Sequence, residues 1–174
     1  MALGGTIPLM MKAAAAAPPP SDVVTKSLRF NGASDSYLGR TPSSSSNRRT
    51  FTWSGWVKLA SDGSHSIFEA GTASSNSVGL QKVDTDNLQF FIYNGSTVTA
   101  QAQTNAVFRD YAAFYHIVAA VDTTDSTPAD RIKIYVNGVQ QTFSSSTPPS
   151  LNLETNINNT NLHRLGMSVV LRIW

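Results

Sequence analysis

Three aromatic residues have the placement expected of a sugar-binding surface. Trp56, Tyr93 and Tyr135 lie at polar positions of alternating strand patterns, so their rings are predicted to face outward. A pyranose presents an apolar face and a rim of hydroxyl groups, which aromatic rings and nearby hydrogen-bonding side chains bind together. Packing on both faces of a sheet, or a subunit interface rich in Trp and Tyr, would explain the same residues. Both interpretations stay open from the sequence.

Hydrolysis of a glycoside would require two carboxyl groups on one strand face, one as acid and one as nucleophile or base. The two glutamates, Glu69 and Glu154, have no acidic neighbours at the necessary spacing. His116 and Asp122 lie on the same side of one strand pattern but are six residues apart. That separation is too long for a shared ligand or a catalytic pair. We therefore expect no catalytic site.

Composition excludes several further classes of protein. The 174 residues contain no cysteine, which rules out disulfide frameworks, thiolate metal sites and cysteine nucleophiles. The longest apolar runs are too short to span a bilayer, so we expect no membrane association. Arg48 and Arg49 form an isolated basic pair within a net charge of +2, whereas nucleic-acid binding needs a basic stripe. A chain of this length is expected to form one domain.

From residue 27 onward, apolar and polar residues alternate between turn signals. Asn94-Gly95 and Asn137-Gly138 each separate two alternating segments and predict hairpins with type I′ turns. Only residues 106–113 indicate a helical turn. Eight or more short strands of this kind predict an all-β, antiparallel sandwich. The candidate strands lie near residues 28–30, 51–59, 65–69, 77–83, 88–93, 96–103, 115–121, 132–136 and 139–143.

Residues 1–26 differ from the rest and are predicted to form an extended Ala/Pro-rich arm. Five alanines and three consecutive prolines form a semi-rigid spacer behind an apolar tip. A signal peptide is the alternative, but a basic start is missing and Gly4, Gly5 and Pro8 interrupt the apolar stretch. The tip is a candidate anchor for another chain, with simple disorder as the other possibility. Its apolar residues are Leu3, Ile7, Leu9, Met10 and Met11.

Three blocks of sequence resemble one known family. They are residues 27–38 (SLRFNGASDSYL), 51–58 (FTWSGWVK) and 115–139 (YHIVAAVDTTDSTPADRIKIYVNGV), of which the YVNGV segment is the most specific. Together they resemble the laminin G-like group of concanavalin A-like lectin/glucanase domains. The segments LGRTP (38–42) and RRTFTWSGWV (48–57) resemble the versions found in bacteriophage tail and other structural proteins. The resemblance implies a jelly-roll domain over residues 27–174.

The resemblance also carries expectations for individual residues. Laminin G-like modules often bind calcium through loop aspartates, which makes Asp122 and Asp125 weak calcium candidates, although Asx turns explain them equally well. His116 falls at a structural histidine position of the family. The family's acidic catalytic run of the E-x-D-x-E type is missing here. After Leu165-Gly166 the usual final strand is replaced by MSVVLRIW (167–174), which either substitutes for that strand or leaves an edge open to another chain. We expect completion in an assembly.

The resemblance and the arm lead to one functional expectation. The protein is expected to be a non-enzymatic structural component of a phage particle, either a capsid decoration or part of a tail or fibre, docked by its arm. Its expected partners are other virion proteins, further copies of itself in a homo-oligomer, and host polysaccharide. No cofactor is expected apart from the possible calcium ion. The alternatives are a carbohydrate-binding adhesion module and a divergent glycoside hydrolase.

Overall fold

A computed structural model of the chain describes residues 28, 30, 36–59, 62–73, 76–95 and 97–166. The predicted arm at residues 1–26 and the segment at residues 167–174 lie outside this described part. The described strands are β1 (Leu38–Arg40), β2 (Thr50–Val57), β3 (His65–Ala73), β4 (Asn76–Lys82), β5 (Asn87–Asn94), β6 (Thr97–Val107), β7 (Tyr115–Asp122), β8 (Ile132–Val136), β9 (Val139–Gln140), β10 (Phe143–Thr147) and β11 (Leu162–Leu165).

The strands form two antiparallel sheets packed face to face. The large sheet has the order β1-β11-β3-β4-β5-β6-β10, and the small sheet has the order β2-β7-β8-β9. Every described pairing between neighbouring strands is antiparallel. The expected all-β antiparallel sandwich is therefore confirmed.

Alternation along the strands places every second residue in the core. In β7, Ile117, Ala119 and Val121 are almost completely buried, and the residues between them are partly exposed. Trp53 of β2 stacks on Phe68 of β3 at 6.3 Å between ring centroids, so aromatic contacts join the two sheets. Full burial of one large apolar side chain contributes roughly 1.5–3 kcal/mol, which makes this shared core the main source of stability.

One predicted hairpin turn is confirmed and the other is displaced by one residue. Asn137 and Gly138 have φ values of 51° and 81°, as a type I′ turn requires. In the β5–β6 hairpin, Asn94 still pairs with Thr97, so the loop begins at Gly95 rather than at Asn94. A register irregularity after Ile92 displaces the pairing, and Gly95 alone of the predicted pair has a positive φ, 61°.

The helical turn predicted at residues 106–113 is wrong. Strand β6 continues to Val107, and buried Phe108 then anchors a loop that ends in a turn at residues 111–113. The described helical segment is a single 3₁₀ turn, Pro128–Asp130, in which Pro supplies the fixed φ of a first helical position. Within the described residues, no helix has the length and apolar character needed to cross a membrane.

Gly166 ends β11 at a position that only glycine fits. Its φ is +79°, and a Cβ atom there would lie 2.3 Å from the ring of Phe30, a core residue. We expect Gly166→Ala to lower the free energy of unfolding by roughly 3 kcal/mol, through backbone strain and overpacking together. Gly138→Ala is the control, because its φ is +81° with no atom near the added Cβ, and it should cost only about 1 kcal/mol. Equal urea unfolding midpoints for the two variants would contradict the contact with Phe30.

A buried cation connects three loops at one end of the sandwich. Lys82 is fully buried, and its Nζ lies 2.6 Å from Asp86 Oδ1 and 3.1 Å from the carbonyl oxygen of Gly63. Asp86 also accepts a hydrogen bond from Arg109 Nε at 2.8 Å, and Lys82 lies over the ring of Tyr111. We call these residues, together with Asp62, the Lys82 cluster.

Hydrogen bonds set the protonation of the Lys82 cluster. Those from Lys82 and Arg109 hold the pKa of Asp86 below its usual value of 3.8. The hydroxyl of Tyr111 donates to Asp62, and this bond, with burial, raises the pKa of Tyr111 to about 12. Around neutral pH the cluster therefore holds an ionised Asp86 and a neutral Tyr111.

Candidate functional site

The outer surface of the small sheet brings together two of the three predicted aromatic residues. Since Phe51, Trp53 and Val57 point into the core, the intervening residues of β2 face outward, and β7 and β8 alternate in the same way. We call this surface the Trp56 face. Its outward side chains are Thr50, Thr52, Ser54, Trp56, His116, Val118, Ala120, Asp122, Lys133 and Tyr135.

Trp56 is exposed yet held in a defined place. Its side chain is 45% exposed, and its ring lies 5.1 Å from the ring of His116, the residue directly opposite in β7. Nε2 of His116 is 3.1 Å from Oγ of Ser54, and the backbone N–H of His116 donates to Oδ1 of Asn137. The histidine at this structural position thus supports the outward ring. An exposed aromatic side chain that packs against a neighbouring ring is a suitable platform for stacking.

Tyr135 lies on the Trp56 face, but Tyr93 does not. Tyr135 lies on β8, two strands away from Trp56 on β2. In the sheet register it is level with Ser54, the outward residue next to Trp56 along β2, because both pair with Val118 of β7. Two strand spacings correspond to roughly 10 Å. Tyr93 belongs to β5 of the large sheet, where its ring packs edge-on against Phe91 at 5.4 Å. The three predicted sugar-binding residues therefore belong to two surfaces.

A cavity of about 250 Å³ opens at the far end of the Trp56 face. Lys133 Nζ is 3.1 Å from Asp130 Oδ1, and this ion pair raises the pKa of Lys133. Hydrogen bonds from Thr124 hold the pKa of Asp122 below its usual value. Both shifts favour the charged forms, the carboxylate of Asp122 and the ammonium group of Lys133. The polar residues that line it are Thr50, Thr52, Asp122, Asp125, Asp130 and Lys133.

The two calcium candidates take part in turns of their own loop. Oδ1 of Asp122 accepts hydrogen bonds from the backbone N–H and the hydroxyl of Thr124, at 2.8 and 2.6 Å. Oδ1 of Asp125 accepts from the backbone N–H of Thr127 at 2.7 Å. These are Asx turns, the alternative that the sequence left open. No cluster of three or more His, Asp or Glu side chains in the described residues is arranged to hold a metal ion.

The two glutamates have separate environments. Glu154 is exposed and bound by two guanidinium groups, Arg48 at 3.1 Å and Arg49 at 3.0 Å. Glu69 is 8% exposed and lies on β3, opposite Gly79 on one side and Arg164 on the other. Glu154 is thus part of an ion-pair network between loops, and Glu69 belongs to the outer face of the large sheet.

A chain of glutamine side chains, which the sequence did not indicate, connects three strands of the large sheet. Gln81 Nε2 donates to Gln89 Oε1 at 2.8 Å, Gln89 Nε2 donates to Gln103 Oε1 at 3.2 Å, and Gln103 Nε2 donates to Asn87 Oδ1 at 3.3 Å. We call Gln81, Gln89 and Gln103 the amide ladder. Each glutamine sits at a polar strand position, which was visible in the sequence, but their alignment depends on pairing among β4, β5 and β6.

The sandwich is similar to several proteins of known structure. Mouse laminin alpha1 chain domains LG4-5 share a TM-score of 0.61 at 16% identity, covering 96% of this chain and 45% of the laminin chain. The SAP-like pentraxin of Limulus polyphemus gives 0.55 at 10% identity, with coverage of 84% and 70%. The CBM40 of a Ruminococcus gnavus IT-sialidase, bound to alpha2,3 sialyllactose, gives 0.55 at 11% identity, with coverage of 85% and 87%. At these identities the likeness shows the fold alone.

The family is shown by the sequence itself. No curated protein matches the sequence. The chain spans less than half of the laminin structure named above. The family model described as the concanavalin A-like lectin/glucanases superfamily, of laminin G type, matches residues 31–168, which is most of the chain. The protein therefore belongs to the concanavalin A-like lectin/glucanases superfamily, as the blocks around FTWSGWVK and YVNGV indicated.

Proposed function

We propose that the protein is a non-catalytic lectin-like domain that binds a neutral polysaccharide on the Trp56 face. One observation carries this proposal: an exposed Trp56 ring, supported by His116, lies on the same sheet surface as Tyr135 and a cavity lined by hydroxyl and carboxylate side chains. The aromatic rings supply stacking surfaces for the apolar sides of sugar rings. The hydroxyl and carboxylate groups of the cavity supply hydrogen-bond partners for sugar hydroxyls.

The charge of the cavity favours a neutral ligand. Asp122, Asp125 and Asp130 stand against Lys133, so the cavity carries an excess of two negative charges. Like charges at close range disfavour association, whereas an ionised carboxylate accepts hydrogen bonds from neutral hydroxyl groups. A sialylated ligand such as the one named for the Ruminococcus gnavus domain would meet this negative charge.

The same arrangement supports a binding role rather than hydrolysis. A glycosidase needs two carboxyl groups about 5–10 Å apart across one sugar, one of them with a raised pKa. In the cavity, the pKa of Asp122 is lowered instead, which favours its ionised form. Glu154 is engaged in ion pairs with Arg48 and Arg49.

Equilibrium binding of the full chain to immobilised polysaccharides tests this proposal. We expect retention on at least one neutral polymer, competition by its soluble fragments, and weaker retention on sialylated or uronate-containing polymers. Reducing-end assays on the same polymers should show no turnover. Absence of binding across neutral polymers would overturn the binding role, and release of reducing ends would overturn the non-catalytic role.

We further propose that the domain is displayed on a phage particle and docked there by residues 1–26, with host polysaccharide as its ligand. The support is the similarity of residues 38–42 and 48–57 to modules of phage structural proteins, and the apolar tip before the three prolines. Further copies of the chain and other virion proteins are the proposed partners, and the virion is the proposed location.

Deleting residues 1–20 should leave a soluble body with unchanged β-sheet circular dichroism that no longer incorporates into particles. The physical reason is that an apolar tip on a stiff spacer gains burial only against a partner. Incorporation is measured by quantifying the chain in purified particles, with the Lys12→Ala variant as a control that keeps the tip. Normal incorporation of the deletion variant would contradict the docking role.

A further inference from the structure

The Trp56 face is about twice as long along its strands as it is across them. The register of β2, β7 and β8 places its outward side chains in four rows. Trp56 in the first row lies six residues from Thr50 in the fourth, a distance of roughly 20 Å at about 3.3 Å per extended residue. The three strands span only roughly 10 Å. From the first row to the fourth, the side chains are Trp56 and His116, then Ser54, Val118 and Tyr135, then Thr52, Ala120 and Lys133, and finally Thr50 and Asp122.

The two ends of the Trp56 face offer different contacts to a ligand. At one end the exposed ring of Trp56 is a stacking surface. At the other end lies the cavity lined by Thr50, Asp122 and Lys133 among others. The ammonium group of Lys133 has three hydrogen-bond donors, and Asp130 takes one of them at 3.1 Å, so two are left for a ligand. A ligand that gains from both ends must therefore span the length of the face.

Between the two ends, β2 and β7 present small or medium-sized side chains outward. We call them the low strip, and they are Ser54, Thr52, Val118 and Ala120. The hydroxyl group of Thr52, and that of Tyr135 beside the low strip on β8, make no hydrogen bond to a described residue. Both hydroxyl groups can therefore donate to and accept from a ligand that lies along the strands.

We infer that the ligand of the Trp56 face is a linear segment of several sugar residues that runs along β2 and β7, from the Trp56 ring to the cavity. This inference rests on the proposed binding of a neutral polysaccharide. A single sugar ring is similar in size to one aromatic side chain, so it can contact one end of the face only. In a linear segment one sugar stacks on Trp56, the next lie over the low strip beside Tyr135, and the last reaches the donors of Lys133. Because the loss of translational and rotational freedom is incurred once for the whole segment, the contacts of each further sugar add to the affinity.

The dependence of affinity on chain length tests the inference with the full chain. The ligands are purified fragments of a neutral polymer that retains the protein, from the monosaccharide to fragments longer than the face, measured by isothermal titration. We expect the affinity to rise at least about tenfold from the disaccharide to the longest fragments, because these add contacts at the second end. Beyond the length that spans the face, the affinity should stay constant.

Substitutions at the two ends make the test specific to this surface. Trp56→Ala removes the stacking ring, and Lys133→Met removes the ammonium donors but keeps an unbranched side chain. Long fragments should lose affinity in both variants, about fivefold or more in each, and the two losses should multiply in the double variant because the ends are more than about 10 Å apart. The disaccharide should lose affinity in one variant and stay within about twofold in the other. Arg164→Met removes a cation from β11 of the large sheet and should leave every affinity within about twofold.

Two outcomes would overturn the inference and leave the proposed function intact. The first is an affinity that is already complete with the mono- or disaccharide, which would indicate a compact site. The second is binding of long fragments that is insensitive to either of the two end variants. Failure of every neutral polymer to retain the protein would overturn the proposed function itself, and the inference with it.

Discussion

Replacing Trp56 with alanine is expected to weaken the affinity for the neutral polysaccharide by roughly 30-fold or more. Trp56 is the most exposed aromatic ring of the Trp56 face, and ring contact with a sugar would bury it almost completely. Aromatic side chains that become fully buried on binding often dominate the binding energy, and truncating one costs about 2 kcal/mol or more, a loss of roughly 30-fold. Isothermal titration with soluble fragments of the polymer measures the change, and Trp56→Phe should retain part of the affinity.

Tyr93→Ala is the matched control, because it removes an aromatic side chain from the other sheet. Binding on the Trp56 face predicts an affinity for this variant close to that of the unchanged protein. Tyr135→Ala should have an intermediate effect, since its half-buried ring offers less surface to a ligand. A large loss in Tyr93→Ala with none in Trp56→Ala would instead move the site to the large sheet.

Asp86→Asn is expected to lower the melting temperature by about 10 °C. The substitution leaves the fully buried ammonium group of Lys82 without its carboxylate, which is among the most destabilising single changes. Asparagine is chosen because Asp86 has a φ of 66°, and asparagine tolerates this left-handed conformation better than alanine. The measured loss therefore reflects the missing charge rather than backbone strain.

Asp84→Asn is the control for the same loop. Asp84 is exposed and accepts a hydrogen bond from Ser64 Oγ at 2.9 Å, so its replacement should shift the melting temperature by no more than about 2 °C. Differential scanning calorimetry at pH 7 measures both variants. Similar melting temperatures for Asp84→Asn and Asp86→Asn would show that the Lys82 cluster does not depend on the carboxylate.

The dependence of stability on pH provides a second measurement of the Lys82 cluster. Because folding lowers the pKa of Asp86, its contribution to stability is fully present above about pH 3.8. That contribution is lost as the pH falls through the pKa of the folded state. The contribution of Tyr111 to stability depends on pH in the opposite direction. It is fully present below pH 10 and is lost as the pH rises toward 12. Urea midpoints from pH 2 to 5 should therefore converge for Asp86→Asn and the unchanged protein at the acid end.

Local patterns in the sequence were sufficient for the class of fold. Alternation in residues 51–57 correctly placed Phe51, Trp53 and Val57 in the core, because the two sides of a strand are set by its period of two. The Asn137-Gly138 turn was also correct, since both residues tolerate positive φ. The Asn94-Gly95 turn was displaced because a register irregularity in the paired strands decides which residues form the loop.

The candidate site was only partly predictable. The outward orientation of Trp56 follows from alternation, but its contact with His116 depends on β2 pairing with β7 across more than fifty residues. Tyr93 had the same sequence signal as Trp56 and lies on the other sheet. The amide ladder and the Lys82 cluster each join residues from several strands or loops, so single-strand patterns carry no trace of them.

The sequence by itself determined that this protein is an antiparallel β-sandwich of the concanavalin A-like superfamily, and which sides of β2 and β7 face the core. Those properties depend on side-chain alternation and turn chemistry, which act over a few residues. Only the tertiary structure decided which outward residues become neighbours, because strand order and register are set by packing among distant segments. It was strand pairing that joined Trp56 to His116 and separated Tyr93 from both.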